Sequence, residues 1–399
     1  MIFAMKLNAG LHLAYCTNVH RGETWAETFD SLIKYTLRVR ERVCPKLPYA
    51  IGLRLSNQAA HELAAPATLL AFQRWLEKNQ CYVFTINGFP FGRFHGGKVK
   101  ENVYAPDWTS PERLAYTNLL FDLLARIAPA GLEASVSTVP GSFKGFPLHG
   151  EDMKKIRDNI WRCVEHIARV SQQTGRKMHL GIEPEPFCLI ENSSETLRFF
   201  DRLRAEHPRD ARLTEHLGVN YDTCHFAVEF EEPQNALGGL IQRGIKVSKL
   251  HLSSALKVRP TAETRAALAA FAEDVYLHQV VVCRADGQCI IYRDLDEALA
   301  GEPAESEEEA ESAQGAEWRI HFHVPLHSPP TKLFDTTADH LLGVLDMLAA
   351  NPGMCSHLEM ETYTWEVLPA ELKRGDVVDQ LVAEYDWTLA ALKARGLAC

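Results

Sequence analysis

Short apolar runs recur along the first 255 or so residues, and each is followed by polar or Gly/Pro-containing positions and then by apolar positions at helical spacing. Seven such runs predict strands at 11–15, 50–55, 82–86, 133–138, 178–183, 217–222 and 247–252. The pair Ser110-Pro111 is typical of a helix start, with an N-cap followed by proline at the first helical position. This alternation predicts parallel strands joined by helical crossovers.

An eighth strand is predicted at 356–361, about 100 residues after the seventh, and that interval is too long for an ordinary connection. The interval contains a helical pattern near 261–271, a hairpin signal from Val280 to Tyr292 and a β-like alternation at 319–327. We therefore predict a single (β/α)8 TIM-barrel domain over 1–399, with an insertion at 256–335 on its catalytic face. The glutamate-rich segment 301–316 predicts a mobile, solvated loop within that insertion.

Composition narrows the class of protein. With 399 residues and 46% hydrophobic content, the chain is long and apolar enough to bury a large core. The net charge of −10 disfavours nucleic acid as a partner. Ten cysteines without a Cys-x-x-Cys pair predict reduced thiols in the cytoplasm. Neither a signal-peptide core nor a run of about 18 apolar residues occurs, so we expect no membrane span.

Four predicted strands end in a residue that can bind a metal ion: Glu183, Asp222, His251 and Glu361. Because the carboxyl ends of parallel barrel strands share one rim, we expect these side chains to meet there. Three carboxylates and an imidazole suit one divalent cation, with Mn, Co, Mg, Fe and Zn all possible. Taken singly, each residue is as easily a loop acid, a helix cap or a structural histidine.

Several other residues compete for roles in or beside that site. Glu185 shares a face with Glu183, and Glu359 shares one with Glu361. His225, at the start of the loop after Asp222, is placed to touch a substrate hydroxyl. Two further groups are candidates to line the pocket: the early strand-end residues Asn18, His20, Arg54, Asn87 and His95, and the insertion histidines His321, His323 and His327, which alternatively form a second metal site or one buried strand face.

The order Glu183-Pro184, Asp222-x-x-His225, His251, Glu361 resembles the xylose-isomerase-like barrels, which include sugar epimerases related to tagatose epimerase and the endonuclease IV group. The resemblance implies one divalent cation held by Glu183, Asp222, His251 and Glu361. It also implies that the two glutamates exchange a proton at a ketose carbon through an enediolate, while His225 orients a substrate oxygen. In these epimerases the region between the last two strands supplies substrate contacts, a role that His321, His323 and His327 would take here.

A narrower resemblance rests on YCTNVH at 15–20, GETW at 22–25, NGFPFG at 87–92 and ETYTW at 361–365. These motifs resemble the EboE family, barrel proteins of the Ebo gene cluster that are described as acting in metabolite traffic. The resemblance implies a place in metabolite biosynthesis or export, with protein partners from the same gene cluster.

Three functions remain open from the sequence. The first is a metal-dependent isomerase or epimerase of a sugar, cyclitol or related polyol, and the intact set of acids favours it. The second is a protein that binds or carries a metabolite without turnover. The third, an endonuclease IV-like phosphodiesterase, is disfavoured because the end of the second strand and the residue after it, 52–56, include no histidine, and because the net charge is negative.

Overall fold

A computed structural model of the chain describes residues 5–284, 286–301, 316–373 and 375–399. Strands alternate with helices up to residue 252, as the apolar pattern predicts. The strands are β1 (His12–Tyr15), β2 (Tyr49–Arg54), β3 (Cys81–Asn87), β4 (Ala134–Thr138), β5 (Met178–Ile182), β6 (Leu217–Asp222), β7 (Lys246–Leu252), β8 (Leu256–Val258), β9 (Val280–Cys283), β10 (Cys289–Tyr292), β11 (Glu317–Ile320), β12 (Asp335–Thr336) and β13 (His357–Met360).

The helices lie mostly in the connections between barrel strands. They are α1 (Trp25–Ser31), α2 (Leu37–Val43), α3 (Asn57–Leu63), α4 (Pro66–Lys78), α5 (Pro111–Ile127), α6 (Asp152–Thr174), α7 (Ser193–Glu206), α8 (Arg212–His216), α9 (Thr223–Val228), α10 (Pro233–Gln242), α11 (Ala262–Leu268), α12 (Leu295–Ala300), α13 (Ala338–Ala350) and α14 (Val377–Lys393). A π-helical turn, Leu32–Thr36, joins α1 to α2. As predicted, Ser110 caps α5 and Pro111 takes the first helical position.

Eight of the described strands form one parallel sheet in the order β1, β13, β7, β6, β5, β4, β3, β2. A parallel bridge between Cys16 and Gly52 joins the two ends of this order and closes the barrel. A Cβ on Gly52 would lie 2.0 Å from Oε1 of Glu359 and 2.7 Å from the carbonyl oxygen of Tyr15, so this seam requires glycine. The predicted (β/α)8 barrel is confirmed, with β13 as its eighth strand.

The chain between β7 and β13 forms a second, five-stranded sheet in the order β10, β9, β11, β8, β12. Its core is made by Val258, Val280, Trp318 and Phe322, among others. The predicted hairpin is present as the antiparallel pair β9–β10, and the helix predicted near 261–271 is α11. The strand expected at 319–327 is shorter than predicted: β11 ends at Ile320, and residues 321–327 are irregular.

The expectation of reduced cysteines is wrong for one pair, because Cys283 and Cys289 face each other across the β9–β10 hairpin and form a disulfide. The remaining cysteines are free, and all but Cys399 are buried. The cytoplasmic location stays a prediction, as do the single-domain interpretation and the insertion bounds 256–335. The predicted loop 301–316 falls almost entirely outside the described residues. Of the helices in the part of the chain that the structure describes, none is long and apolar enough to cross a membrane.

Candidate metal centre

The four strand-end residues predicted to bind a metal converge at the carboxyl rim of the barrel. Glu183, Asp222, His251 and Glu361 each place one ligand atom so that all four atoms lie within 4.8 Å of one another. Glu183 and Glu361 are the first residues after β5 and β13, whereas Asp222 ends β6 and His251 lies opposite it in β7. All four are buried, with exposures between 0 and 5%. The arrangement therefore has the composition and size of a single-cation site.

His251 is at the centre of the group. Its Nδ1 lies 2.8 Å from Oε1 of Glu183, 3.0 Å from Oε2 of Glu361 and 3.4 Å from Oδ2 of Asp222. Burial alone lowers the pKa of an imidazole, but the charges of Glu361 and Glu183 outweigh it and raise the pKa of His251 well above its usual value. Three carboxylates around one ring nitrogen need a positive charge among them, which either a proton or a metal ion supplies.

The far side of the His251 ring is held by a carboxylate. Nε2 of His251 donates to Oε2 of Glu359 at 2.7 Å, so Nδ1 is the nitrogen that faces the other three acids, as a proton donor in the charged ring or as a lone pair towards a metal ion. Glu359 is in turn paired with Lys249 at 2.5 Å, and both side chains are almost wholly buried. Burial works against this charge, yet Lys249 and His251 lower the pKa of Glu359 to about 2. Carboxylates in this position orient metal-binding histidines, so Glu359 supports the ring, whereas Glu361 belongs to the group of three acids that face Nδ1.

Asp222 has one oxygen committed to the backbone and one available. Its Oδ1 caps α9 by accepting from the amides of Cys224 and His225, at 2.8 and 3.1 Å, and it also accepts from Oγ of Ser253 at 2.6 Å. Its Oδ2 has no hydrogen-bond partner among the described residues, although it is buried. The cap thus fixes the carboxylate and leaves Oδ2 aimed at the other three residues of the group.

Glu361 is positioned in a similar way by two amides. Nδ2 of Asn18 donates to Oε1 at 2.7 Å, and Nδ2 of Asn87 donates to the same oxygen at 3.0 Å. The second oxygen, Oε2, faces His251. Asn18 and Asn87 were predicted to contact a substrate, and the structure gives both an additional role in orienting Glu361.

The donor set fits a hard or borderline divalent cation. Besides Oδ2 of Asp222, the buried Oε2 of Glu183 also lacks a hydrogen-bond partner within the described part of the chain. Buried carboxylate oxygens are costly when they are not paired, and a cation between them removes that cost. Three carboxylates and one imidazole are ligands that Mn²⁺, Co²⁺, Fe²⁺, Mg²⁺ and Zn²⁺ accept in different geometries, so the set does not select one metal.

A cavity of about 500 Å³, including the part open to solvent, is bounded by two of the four residues, Glu183 and Glu361. It is lined by the predicted site residues Glu183, Glu185, His225, Glu361, Asn18 and Asn87, and by His321 from the irregular segment after β11. Aromatic side chains make up much of the remaining wall, namely Phe89, Phe94, Tyr104, Tyr276 and Tyr363. This size and mixed lining are typical of a site for a small molecule.

Glu185 is tied to the second sheet by a chain of hydrogen bonds. The hydroxyl of Tyr104 donates to Oε1 of Glu185 at 2.7 Å and accepts from Nε2 of Gln279 at 2.9 Å. Oε1 of Gln279 accepts from Nδ1 of His321 at 2.7 Å. Burial, with the nearby charges of Glu183 and Glu361, raises the pKa of Glu185 to about 8. Glu185 is therefore largely protonated at neutral pH, unlike a metal-binding carboxylate.

Other predicted pocket residues are structural. His20 is hydrogen-bonded to the hydroxyl of Tyr15 at 3.0 Å, and the Arg54 guanidinium donates to backbone carbonyls, including that of Gly22 at 2.6 Å. His95 contacts the backbone carbonyl of Asn18 and the hydroxyl of Tyr276. His327 is half-buried and is not among the residues that line the cavity, so its substrate role stays a prediction.

The sequence does not reveal several residues that shape the site. Lys249 precedes His251 by two positions and shares its strand face, which is the only signal for it. Tyr104 lies in a 3-10 segment, Lys100–Tyr104, and Gln279 precedes β9; neither position stands out in the residue pattern. These contacts depend on packing between segments that are far apart in sequence.

No protein-family model matches the chain, and no curated protein sequence matches it. Among solved structures, an L-ribulose 3-epimerase aligns over 96% of this chain and 95% of its own, with 9% identity and a TM-score of 0.52. A D-tagatose 3-epimerase-like protein is 11% identical over 96% and 97% of the two chains, with a TM-score of 0.48. A xylose isomerase-like TIM barrel protein from Mycobacterium smegmatis in complex with magnesium is 12% identical over 90% and 87%, with a TM-score of 0.47. At these identities the likeness shows the fold alone, and the resemblance to EboE stays a prediction.

Proposed function

We propose that this protein is a metal-dependent isomerase or epimerase of a sugar, cyclitol or related polyol, with Glu183, Asp222, His251 and Glu361 as metal ligands and with Glu183 and Glu361 as the acid–base pair. One observation carries the proposal: Nδ1 of His251 lies within 3.4 Å of carboxylate oxygens from all three acids, while its Nε2 is held by a fourth acid. A bound divalent cation would polarise a carbonyl and an adjacent hydroxyl of the substrate and lower the free energy of the enediolate.

Residues of the chain itself would carry out the proton transfer. Glu183 and Glu361 also both line the cavity, so each carboxylate can reach a substrate bound there. One takes the proton from a substrate carbon and the other returns it. Asn18 and Asn87 hold Glu361 in a fixed orientation, which limits the reorganisation that proton transfer requires.

His225 and Glu185 are suited to bind substrate hydroxyls. Nδ1 of His225 donates to the carbonyl of Pro184 at 2.8 Å, which leaves Nε2 as an acceptor at the cavity wall. Glu185, with its pKa near 8, is a hydrogen-bond donor at neutral pH. Lys100 is the one lysine that lines the cavity among the described residues, and it is already paired with Asp294 at 2.6 Å. We therefore favour an uncharged polyol over a phosphorylated one.

The fold likeness to an L-ribulose 3-epimerase supports the same substrate class. From the motifs shared with the EboE family we further propose that the substrate is a metabolite of a biosynthesis or export pathway whose other proteins are partners of this chain. The small, walled cavity does not favour an endonuclease. A metabolite carrier without turnover would need the cavity but not two acids on one ion, so the experiment below separates the carrier from the enzyme.

The test is solvent-deuterium exchange into a panel of ketoses, aldoses and cyclitols, followed by NMR with the Mn²⁺-loaded protein. We expect exchange at one carbon adjacent to a carbonyl, and we expect it to fall by at least about a hundredfold in Glu361→Gln and in Glu183→Gln. Glu229→Gln is a matched control, because burial raises the pKa of Glu229 well above its usual value and the glutamine resembles the neutral acid already present.

Two results would count against the proposal. If a polyol raises the melting temperature of the wild-type protein but none in the panel exchanges deuterium, the protein is a binding protein. If the Mn²⁺ content is the same in wild type and in a Glu183→Gln/Glu361→Gln variant, the four residues are not the metal ligands.

A further inference from the structure

Three histidines from separate parts of the chain meet on the side of the cavity that faces the second sheet. His225 lies in the first turn of α9, and His321 and His323 follow β11. The ring centroids are 4.6 Å apart for His225 and His321, 5.6 Å for His225 and His323, and 5.2 Å for His321 and His323. Each ring is buried, with exposures of 4, 2 and 0%. The proposed isomerase chemistry assigns a role to His225 alone.

Backbone carbonyls determine which nitrogen carries hydrogen in two of the rings. Nδ1 of His225 is 2.8 Å from the carbonyl oxygen of Pro184, and Nδ1 of His323 is 2.8 Å from the carbonyl oxygen of Glu361. A carbonyl oxygen only accepts, so Nδ1 is the donor in both rings. In the neutral ring the other nitrogen, Nε2, is then a bare lone pair, which is the form that binds a metal.

The third ring is oriented in the same way by a side chain. Nδ1 of His321 is 2.7 Å from Oε1 of Gln279. The amide nitrogen of Gln279 donates to the hydroxyl of Tyr104, so it is the amide oxygen that faces His321 and accepts from it. His321 therefore also has its hydrogen on Nδ1, and its Nε2 lies 3.3 Å from Nε2 of His323. Two lone pairs at that distance repel each other unless a positive charge lies between or beside them.

We propose that His225, His321 and His323 bind a second divalent transition-metal ion, with Asp222 beside them as the carboxylate ligand. Ligand atoms of Asp222, His225 and His323 lie within 4.8 Å of one another, and His321 shares one such group with His225 and another with His323. Three imidazoles with few carboxylates favour Zn²⁺, Co²⁺, Fe²⁺ or Ni²⁺ over Mg²⁺. The carbonyl and amide acceptors on the three Nδ1 atoms are the partners that metal-binding histidines usually have.

The proposed histidine site is adjacent to the carboxylate site and differs from it in its ligands. Asp222 belongs to a group with Glu183, His251 and Glu361 and also to one with His225 and His323. Its carboxylate therefore lies between the two sites, as a shared acid does in centres with two metals. The barrel supplies the carboxylate-rich site, and the segment after β11 supplies most of the nitrogen ligands of the other. This inference rests on the geometry of the three rings and not on the reaction proposed above, and a filled second site would use the Nε2 of His225 that is assigned there to a substrate hydroxyl.

The experiment counts ions on the intact protein. The chain is stripped with a chelator, saturated with Co²⁺ and desalted, and cobalt per chain is measured by mass spectrometry alongside the visible absorption of bound Co²⁺. We expect two ions in the wild type, and one in His323→Gln and in His321→Gln/His323→Gln. A Glu183→Gln/Glu361→Gln variant is expected to keep one ion, with the absorption of the imidazole-rich site.

His340→Gln is the matched control, because His340 is a buried histidine that bonds to the hydroxyl of Tyr221 at 3.0 Å and is a proposed ligand of neither site, and we expect it to keep two ions. One ion in the saturated wild type, or two in His321→Gln/His323→Gln, overturns the proposal and leaves a shared proton as the charge between the rings. Should a histidine variant fail to fold, anomalous diffraction from Co²⁺-soaked wild-type crystals decides the question. A peak among the three rings supports the second site, and a peak at the carboxylate site alone refutes it.

Discussion

The buried pair of Lys249 and Glu359 allows folding stability and metal binding to be separated. Lys249 is 1% exposed in its side chain and Glu359 is 0% exposed, and their charged atoms are 2.5 Å apart. Lys249 also donates to Oγ of Ser137 at 3.0 Å, whereas Glu359 accepts from His251 as well. Lys249→Met removes the cation but leaves the hydrogen bond that orients His251. We therefore expect this variant to lose stability and keep its metal.

The size of the effect follows from the pKa of Glu359, which is lowered from 4.5 to about 2. That difference corresponds to about 3 kcal/mol in favour of the ionised acid, shared between Lys249 and His251. Removing one partner of a buried ion pair typically costs about 3–5 kcal/mol, so we expect Lys249→Met to lower the free energy of unfolding by about 3 kcal/mol. The contribution of Glu359 is present above pH 4.5 and is lost as the pH falls towards 2, and Lys249→Met weakens that acid dependence.

Adding a second substitution, Glu359→Gln, should restore the stability that Lys249→Met loses and should weaken metal binding. In Lys249→Met/Glu359→Gln no charge is left without its partner, so we expect most of the lost stability to return. The neutral amide is a weaker acceptor for Nε2 of His251, so Mn²⁺ affinity should fall by about ten- to a hundredfold. Urea unfolding of the metal-free proteins measures the first quantity, and calorimetric titration with Mn²⁺ measures the second.

The reasoning is refuted by either of two results. If Lys249→Met unfolds within about 1 kcal/mol of the wild type, the pair does not stabilise the fold in the way its burial indicates. If the double variant binds Mn²⁺ as tightly as Lys249→Met does, the carboxylate on Nε2 does not control the metal-facing nitrogen of His251.

Three further predictions concern the same cavity. Asn87→Ala removes one of the two amides that hold Oε1 of Glu361, so Mn²⁺ affinity should weaken about tenfold by calorimetry, and an unchanged affinity would mean that Asn18 alone orients the acid. Tyr104→Phe removes the hydrogen bond that favours ionised Glu185, so the pKa of Glu185 should rise above about 8. NMR of ¹³C-labelled glutamate measures this pKa, and a fall would contradict the assignment. Removal of the metal with a chelator should lower the melting temperature, and added Mn²⁺ should restore it. A metal concentration of 100 times Kd adds about 2.7 kcal/mol to the free energy of unfolding. An unchanged melting temperature would argue against a metal site in the folded protein.

The sequence predicts the barrel and the carboxylate site for a simple reason. Parallel strands buried on both faces are short continuous apolar runs, and their ends all lie at one rim, so residues such as Glu183 and Glu361 are placed by strand phase alone. The predicted strands agree with the observed ones to within about one residue at most ends, including β6 at Leu217–Asp222. A local pattern is sufficient wherever the position of a side chain depends on its own strand.

The same reasoning fails where position depends on distant packing. The choice between Glu359 and Glu361 could not be made from sequence, because both lie on one strand face, and it is the contact of Glu359 with Lys249 that separates them. The roles of Tyr104 and Gln279 depend on a long loop and the second sheet meeting over the cavity. The disulfide was missed because the six-residue spacing of Cys283 and Cys289 has no meaning until the hairpin register pairs them.

The second sheet changes what the barrel rim can do. Strand β11 lies between β8 and β9 and pairs antiparallel with both, so these strands hold the irregular segment after β11 against the cavity instead of leaving it as a mobile loop. That segment is anchored at His323, whose Nδ1 donates to the backbone of Glu361, and at Thr364, whose hydroxyl donates to the carbonyl of His323 at 2.5 Å. Because these bonds join the insertion to the strand end that carries Glu361, a change in the insertion is expected to alter metal and substrate selection while the four proposed ligands stay in place.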